Sequence, residues 1–436
     1  MTRYPNPVHV AAAIAVAIVL PTSCRAPDAG SSAWWRALNA MDEGRYDLAR
    51  GDLEAILADD PADLEVCTLL ARSWSRGTMQ SPARAIEAWQ HCQALEPTDE
   101  GRVEIARAHL RLGDHEKALA ALQGAAPTAE VLLLRGESLL RLDPTAALRE
   151  LERGLDDFPP EAALLALTAR AAELEDLPAR ALEYADRALE LDPLDDRTHY
   201  LRARLLQALD RADEAATAFE RYELVSRIRG VAGRPTPTAT EQLRFMQELG
   251  VGGRGASMKR IELLAEVGRG DEAMAAIEEV LRDDDPDAMT VLRLENTAAR
   301  LGRYDDARTL LGRIEISRAE PAIRREVEFR RAHLLHLSGD TEAALSEIEA
   351  LLERDPRIAK LLDLHGRLLQ ASGDEAAALH SFSRALELAP WRVDTRLALC
   401  ELELRHSGRK RVQSLLDAAP EPSGELDSFR LRHGLP

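Results

Sequence analysis

The sequence predicts an all-α chain, a stack of antiparallel helical hairpins, on three observations. Between Gly339 and Pro390 it says nearly the same thing twice, SGDTEAALSEIEALLERDP and then ASGDEAAALHSFSRALELAP, with Pro356 and Pro390 34 residues apart. In the N-terminal half Pro159 and Pro193 are again 34 apart, with Ala169, Ala181, Ala188 and Leu189 in register between them. Self-similarity at a fixed period of this length is one supersecondary unit repeated, each burying its apolar face only against its neighbours. Composition agrees: 45% hydrophobic residues, only 4% aromatics and many Ala, Leu, Glu and Arg favour helix over sheet. Because repeat arrays grow without a single large core, the period counts units in these 436 residues better than length does.

From the N-terminus, residues 1–23 read as a signal peptide. The run Ala11 to Leu20 is uninterrupted and apolar and follows Arg3. It is too short to span a bilayer as a helix, which needs about 20 residues, and matches the h-region of an export signal. An uncleaved anchor or a buried helix is the alternative. Cys24 follows at once, and LPTSC resembles the lipobox of bacterial lipoproteins, in which the cysteine becomes the lipidated first residue. Pro21 stands where that family usually has Leu, so ordinary cleavage nearby stays open. The resemblance implies an exported protein of the cell envelope, anchored to a membrane through Cys24, with residues 24–32 as a flexible tether.

Residues 33–226 form a first predicted segment of hairpins. Gly44-Arg45-Tyr46 to Pro61 opens it, Ala85 to Trp89 follows, and the 36 residues from Pro61 to Pro97 place an insertion of two in the turn RGTMQSP. The units around Gly113 and Asp143 keep Ala118 and Ala147 in shorter loops, and Asp213-Glu214-Ala215 through Phe219 and Tyr222 continues the array. Residues 227–257 interrupt it: RGVAGRPTPTAT and GVGGRG bracket a short helical pattern, TEQLRFMQEL, and their Gly and Pro break helices and mark a joint.

Residues 258–419 form the second segment. Val267-Gly268 to Pro286 carries Ala273; LGRYDDA carries Gly302, Tyr304 and Ala307; the next unit carries Ala332, Leu335, Gly339, Ala344 and Leu352. In the unit from Ala359 to Pro390, Leu362, Gly366 and Leu369 line one helix, and Ala378, Phe382, Ala385 and Leu386 line the next, as two facing stripes. Gly366 and Ala378 are small where the helices cross closely. Gly373 ends the first helix, since glycine takes the left-handed conformation without a Cβ clash. Asp374 caps the second, and Pro390 stops it by removing an N–H and forcing Ala389 out of helical geometry. Residues 391–419 read as a partial capping hairpin and 420–436 as a poorly ordered tail. About ten hairpins result.

A small residue midway in the first helix, Ala early in the second, a later aromatic, a second Ala and a closing Pro together resemble the tetratricopeptide repeat. The resemblance covers most of the chain. It implies a superhelical α-solenoid that binds a protein or peptide on the concave face lined by its first helices, without catalysis. On that register Arg72, Arg107, Arg170, Arg204 and Arg367 follow the small mid-helix position and form a candidate partner-binding stripe. Arginine presents a rigid fork of donors suited to carboxylates; the bland reading is that these arginines pair with neighbouring Glu.

Other chemistry finds no support. A formal charge of −19 repels phosphate backbones, so no nucleic acid is expected; it disfavours, with the export signal, the related helical-repeat family that reads single-stranded RNA. No nucleophile elbow, Gly-rich phosphate loop, HExxH or paired CxxC occurs, and GVGGRG follows a helix and lacks the Lys-Ser/Thr ending. No cofactor, catalytic residue, metal or small-molecule substrate is therefore expected. His333 and His336 are three apart on one helix face, but no motif places a third ligand. Cys67 and Cys92 fall at similar heights on one predicted hairpin as a candidate disulfide; the alternative is that they are buried small hydrophobes.

Overall fold

In the computed structural model, which describes residues 32–77, 80–229, 237–250, 254–283, 286–406 and 408–435, the chain is all-α, with 24 helices and no strand among those residues. The first three are α1 (Ser32–Asp42), α2 (Tyr46–Asp59) and α3 (Leu64–Ser75). Then come α4 (Pro82–Leu95), α5 (Asp99–Leu112), α6 (His115–Ala121), α7 (Ala129–Leu142), α8 (Pro144–Asp157), α9 (Ala162–Leu174), α10 (Pro178–Leu191), α11 (Asp196–Ala208), α12 (Ala212–Arg229), α13 (Ala239–Leu249), α14 (Arg254–Glu266) and α15 (Gly270–Asp283). The last are α16 (Ala288–Arg300), α17 (Tyr304–Leu311), α18 (Pro321–Leu337), α19 (Thr341–Arg354), α20 (Ala359–Ser372), α21 (Glu375–Leu388), α22 (Val393–His406), α23 (Arg409–Asp417) and α24 (Gly424–His433). The signal segment and Cys24 lie outside the described residues. No helix among the described ones is long and apolar enough to cross a membrane.

The unit at 359–390 shows how each hairpin forms. Gly373, at φ 94°, is the left-handed cap of α20, and the Asp374 carboxylate accepts the Ala377 N–H at 3.0 Å to start α21. α21 ends at Leu388, with Ala389 out of helical geometry before Pro390. Gly366 is where α20 meets α21: a Cβ there would stand 2.6 Å from Cε1 of the fully buried Phe382. Any larger residue would push the two helices apart, so the small residue sets the crossing distance.

The chain divides into two compact units. The central unit, Gln80–Pro286, pairs α5 with α6, α7 with α8, α9 with α10, α11 with α12 and α14 with α15, and the second helix of one hairpin packs on the first of the next through α6–α7, α8–α9 and α10–α11. One continuous core of Leu and Ala runs through it from Leu132 to Ala218. At the predicted interruption, α12 continues to Arg229, and α13 begins at a capping box in which Thr238 and Glu241 satisfy each other's backbone N–H groups. α13 is packed: Phe245 and Met246 are buried with Leu194, Ile228, Ala256 and Leu263.

The terminal unit joins Met1–Met79 to Asp287–Pro436. It pairs α1 with α2, α16 with α17, α18 with α19, α20 with α21 and α22 with α23. Trp34, Leu38 and Met41 of α1 share a core with Ala359, Ala389 and Trp391, so α1 and the repeat at 359–391 build one body.

The tail corrects an expectation. Residues 424–433 form α24 rather than a poorly ordered end: Ser423 caps it, and Leu426, Phe429 and Leu435 are buried with Cys400, Val412 and Leu416. Two apolar residues three apart put one apolar edge on α24, enough to cover the end of the last hairpin, although ELDSFRLRH is polar on average.

Candidate interaction surface

The candidate arginines take distinct environments. In the central unit Arg107, Arg170 and Arg204 occupy equivalent positions on α5, α9 and α11, but α7 carries the exposed Glu137 at that position, which breaks the stripe. Arg107 is held by Glu104 on its own helix and by Glu130 on α7. Arg204 reaches back to Glu173 on α9 at 3.0 Å, while Arg170 is exposed. In the terminal unit Arg72 is half-buried on α3, and Arg367 bonds Asp363 one turn earlier on α20 at 3.1 Å. The arginines therefore serve in part as ties between successive first helices.

Beside Arg204 lies a group that sequence reasoning missed. Tyr200, 44% exposed, meets the edge of Phe219 with centroids 6.2 Å apart and Tyr222 at 5.2 Å, and the Arg204 guanidinium stands 6.0 Å from its ring. The signal was there to be read: Tyr200 and Arg204 are four apart on one helix face, and Phe219 and Tyr222 are three apart on the helix that packs against it, in a chain poor in aromatics.

The terminal unit holds a second missed feature, a chain of buried and half-buried ions across its first helices. Glu295 on α16 pairs with Arg330 on α18 at 2.6 Å; Arg330 pairs with Glu326 at 2.7 Å, and Glu326 with Lys360 on α20 at 3.0 Å. Asp363 on α20 accepts the Thr395 hydroxyl at 2.8 Å and lies 3.4 Å from Arg392, which also pairs with Glu43. Burial alone would raise the Glu326 pKa, but Lys360 and Arg330 outweigh it and hold the carboxyl at about 2. For Glu295 burial wins over Arg330 and the pKa rises. Lys360, whose pKa burial would lower, is pushed up by Asp42 and Glu326. Glu326 and Lys360 are 34 residues apart, one period, so opposite charges at the period are the sequence trace of this ladder.

His333 is exposed and stacks on Phe329 with centroids 6.1 Å apart; desolvation by its neighbours, with His336 and two arginines nearby, lowers its pKa to about 4. Among the described residues no group of three or more His, Cys, Asp or Glu side chains could hold a metal. Cys67 and Cys92 are buried on α3 and α4, and Cys400 is a buried free thiol whose pKa burial pushes up to about 12.

No family model and no curated protein matches the chain. Solved structures similar to it include yeast Tom70 (14% identity, TM-score 0.36, covering 92% of this chain and 94% of that one). Others are the APC/C hetero-tetramer Cut9–Hcn1 (15%, 0.31, 92% and 95%) and the TPR domain of P58(IPK) (14%, 0.25, 90% and 100%). At these identities and scores they carry no argument about a partner.

Proposed function

We propose that the protein is a non-enzymatic interaction scaffold of the bacterial cell envelope that binds a protein or peptide along the first helices of its repeats. The observation that carries this reading is the surface of Arg170, Tyr200 and Arg204 on the neighbouring helices α9 and α11, with Phe219 and Tyr222 beside it. Tyrosine and arginine are the residues that most often anchor protein interfaces: an aromatic face buries area at low entropic cost, and a guanidinium grips carboxylates. Arg72, Arg107 and Arg367 extend the same chemistry in their own units. Changing Arg170 and Arg204 together to Glu, with crosslinking in cells and identification of the co-purified protein, tests it. The partner recovered with the parent chain is lost from the variant at unchanged helical content; an identical partner set in both refutes the surface.

Export and lipid attachment at Cys24 belong to the same proposal, supported by the apolar run before it and the likeness of LPTSC to a lipobox. Cys24→Ser then moves the protein from the membrane to the soluble fraction, and continued membrane retention would count against lipidation. A Cys67–Cys92 bridge is likewise proposed, as suits an exported chain. Thiol labelling of the denatured, unreduced protein should modify Cys400 while sparing that pair; labelling of all three rules the bridge out.

A further inference from the structure

Within the terminal unit the end of α1 meets later repeats through polar contacts that no repeat period explains. The Asn39 side chain of α1 accepts the Ala359 N–H at 2.6 Å and donates to the Arg357 carbonyl at 3.0 Å, across about 320 residues of sequence. Asp42 pairs with Lys360 at 2.8 Å and lies 3.6 Å from Arg325. Glu43 accepts the Trp391 indole N–H at 2.7 Å and pairs with Arg392. The side chains of Arg325, Lys360 and Arg392 are only 10%, 16% and 22% exposed. They stand at the starts of three successive first helices, Arg325 near the beginning of α18, Lys360 on the first turn of α20 and Arg392 just before α22.

Each of these cations is buried against a carboxylate of the α1 end. Each keeps a second carboxylate, Asp355, Glu326 and Asp363 respectively, so losing the α1 partner weakens the compensation of a largely buried charge without abolishing it. The apolar side of α1 packs at the same place, because Trp34, Leu38 and Met41 share their core with Ala359 and Trp391.

We infer that the end of α1 is a clasp that couples the first hairpin to the starts of α20 and α22, so that loosening the N-terminal hairpin loosens these distant repeats in one conformational step. Packed and hydrogen-bonded contacts of this kind can carry such coupling, and here they are the Asn39–Ala359 bond with the Asp42–Lys360 and Glu43–Arg392 pairs.

Amide hydrogen exchange on the full chain tests the clasp. Two variants are compared with the parent: Asp42→Asn with Glu43→Gln, which removes both charges at constant shape, and Asn39→Ala, which removes only the neutral contact. Exchange at the first turns of α20 and α22 should accelerate at least tenfold in both, with α9 and α11 unchanged and helical content retained. Unchanged exchange at α20 and α22 in both variants would overturn the inference. So would an equal acceleration of α9 and α11, which marks general destabilisation rather than a clasp.

Discussion

Asn39 caps a helix that begins 320 residues later: its side-chain oxygen accepts the Ala359 N–H at 2.6 Å. A helix start leaves its first N–H groups without intrahelical partners, and the residue at the cap position of α20 is Ile358, which has no side-chain acceptor. Asn39, itself 2% exposed, supplies the missing acceptor and directs its amide hydrogens to the Trp35 and Arg357 carbonyls at 2.7 and 3.0 Å. Asn39→Ala should therefore destabilise the protein by about 1–3 kcal/mol, the usual cost of leaving buried groups unpaired. Asn39→Asp, which keeps the acceptor but sets a carboxylate against two carbonyls, should also lose stability. Urea unfolding measures both, and a midpoint unmoved by Asn39→Ala would refute the capping role.

The hairpins were legible because everything that makes one is local. Gly366 and Phe382, Gly373 and Asp374 are close in sequence, and their spacing states their contact. The joining of α1 to these later repeats was not legible, since SAWWRALNAMDEG reads as an ordinary first helix and its partners at 357–359 and 391–392 bear no periodic relation to it. The arginine register could be counted, but whether each Arg faces a partner or a neighbouring Glu depends on the adjacent repeat: Glu137 breaks the row, and Glu173 takes up Arg204. For α24, two buried apolar residues in a polar stretch form too weak a pattern to separate a capping helix from a tail.

Gly366 allows a sharper test of the repeat geometry. Because a Cβ at this position would stand only 2.6 Å from the Phe382 ring, Gly366→Ala overpacks a buried contact and should cost about 1–3 kcal/mol, although Ala is the better helix former by about 1 kcal/mol. Pairing it with Phe382→Leu, which withdraws the ring, should recover part of the loss relative to Phe382→Leu alone. Additive losses in that double-mutant cycle would mean the two side chains do not meet.

Acid should weaken the terminal unit in two stages. His333 is lowered from 6.5 to about 4, so between those values the unfolded chain binds more protons than the folded one, and stability falls as pH drops through this window. His333 is itself exposed, so solvent screening keeps the loss well below what the full shift would give. Glu326 is lowered from 4.5 to about 2; its contribution is present above the unfolded value and disappears as pH falls from 4.5 towards 2, about 3 kcal/mol in all. His333→Leu should remove the first stage and leave the second. Urea midpoints at pH 7, 4.5 and 3 for parent and variant read this out, and an equal pH 7 to 4.5 loss in both would rule His333 out.

Phe429 is fully buried against Val412 and Leu416, and it is the largest apolar side chain that α24 contributes to the end of the array. A terminal hairpin must hide the apolar face that an interior hairpin gives to its neighbour, and here the covering element is a single helix with three buried apolar side chains at and beyond it. Phe429→Ala leaves a cavity where a ring filled the space, with an expected loss of about 3–5 kcal/mol from this end of the terminal unit. Because α24 is local to α22 and α23, that loss should appear as early melting of these helices, seen by faster amide exchange there, while α9 and α11 keep their protection. Stability and exchange equal to the parent's would show that α24 covers nothing and that the array ends at α23.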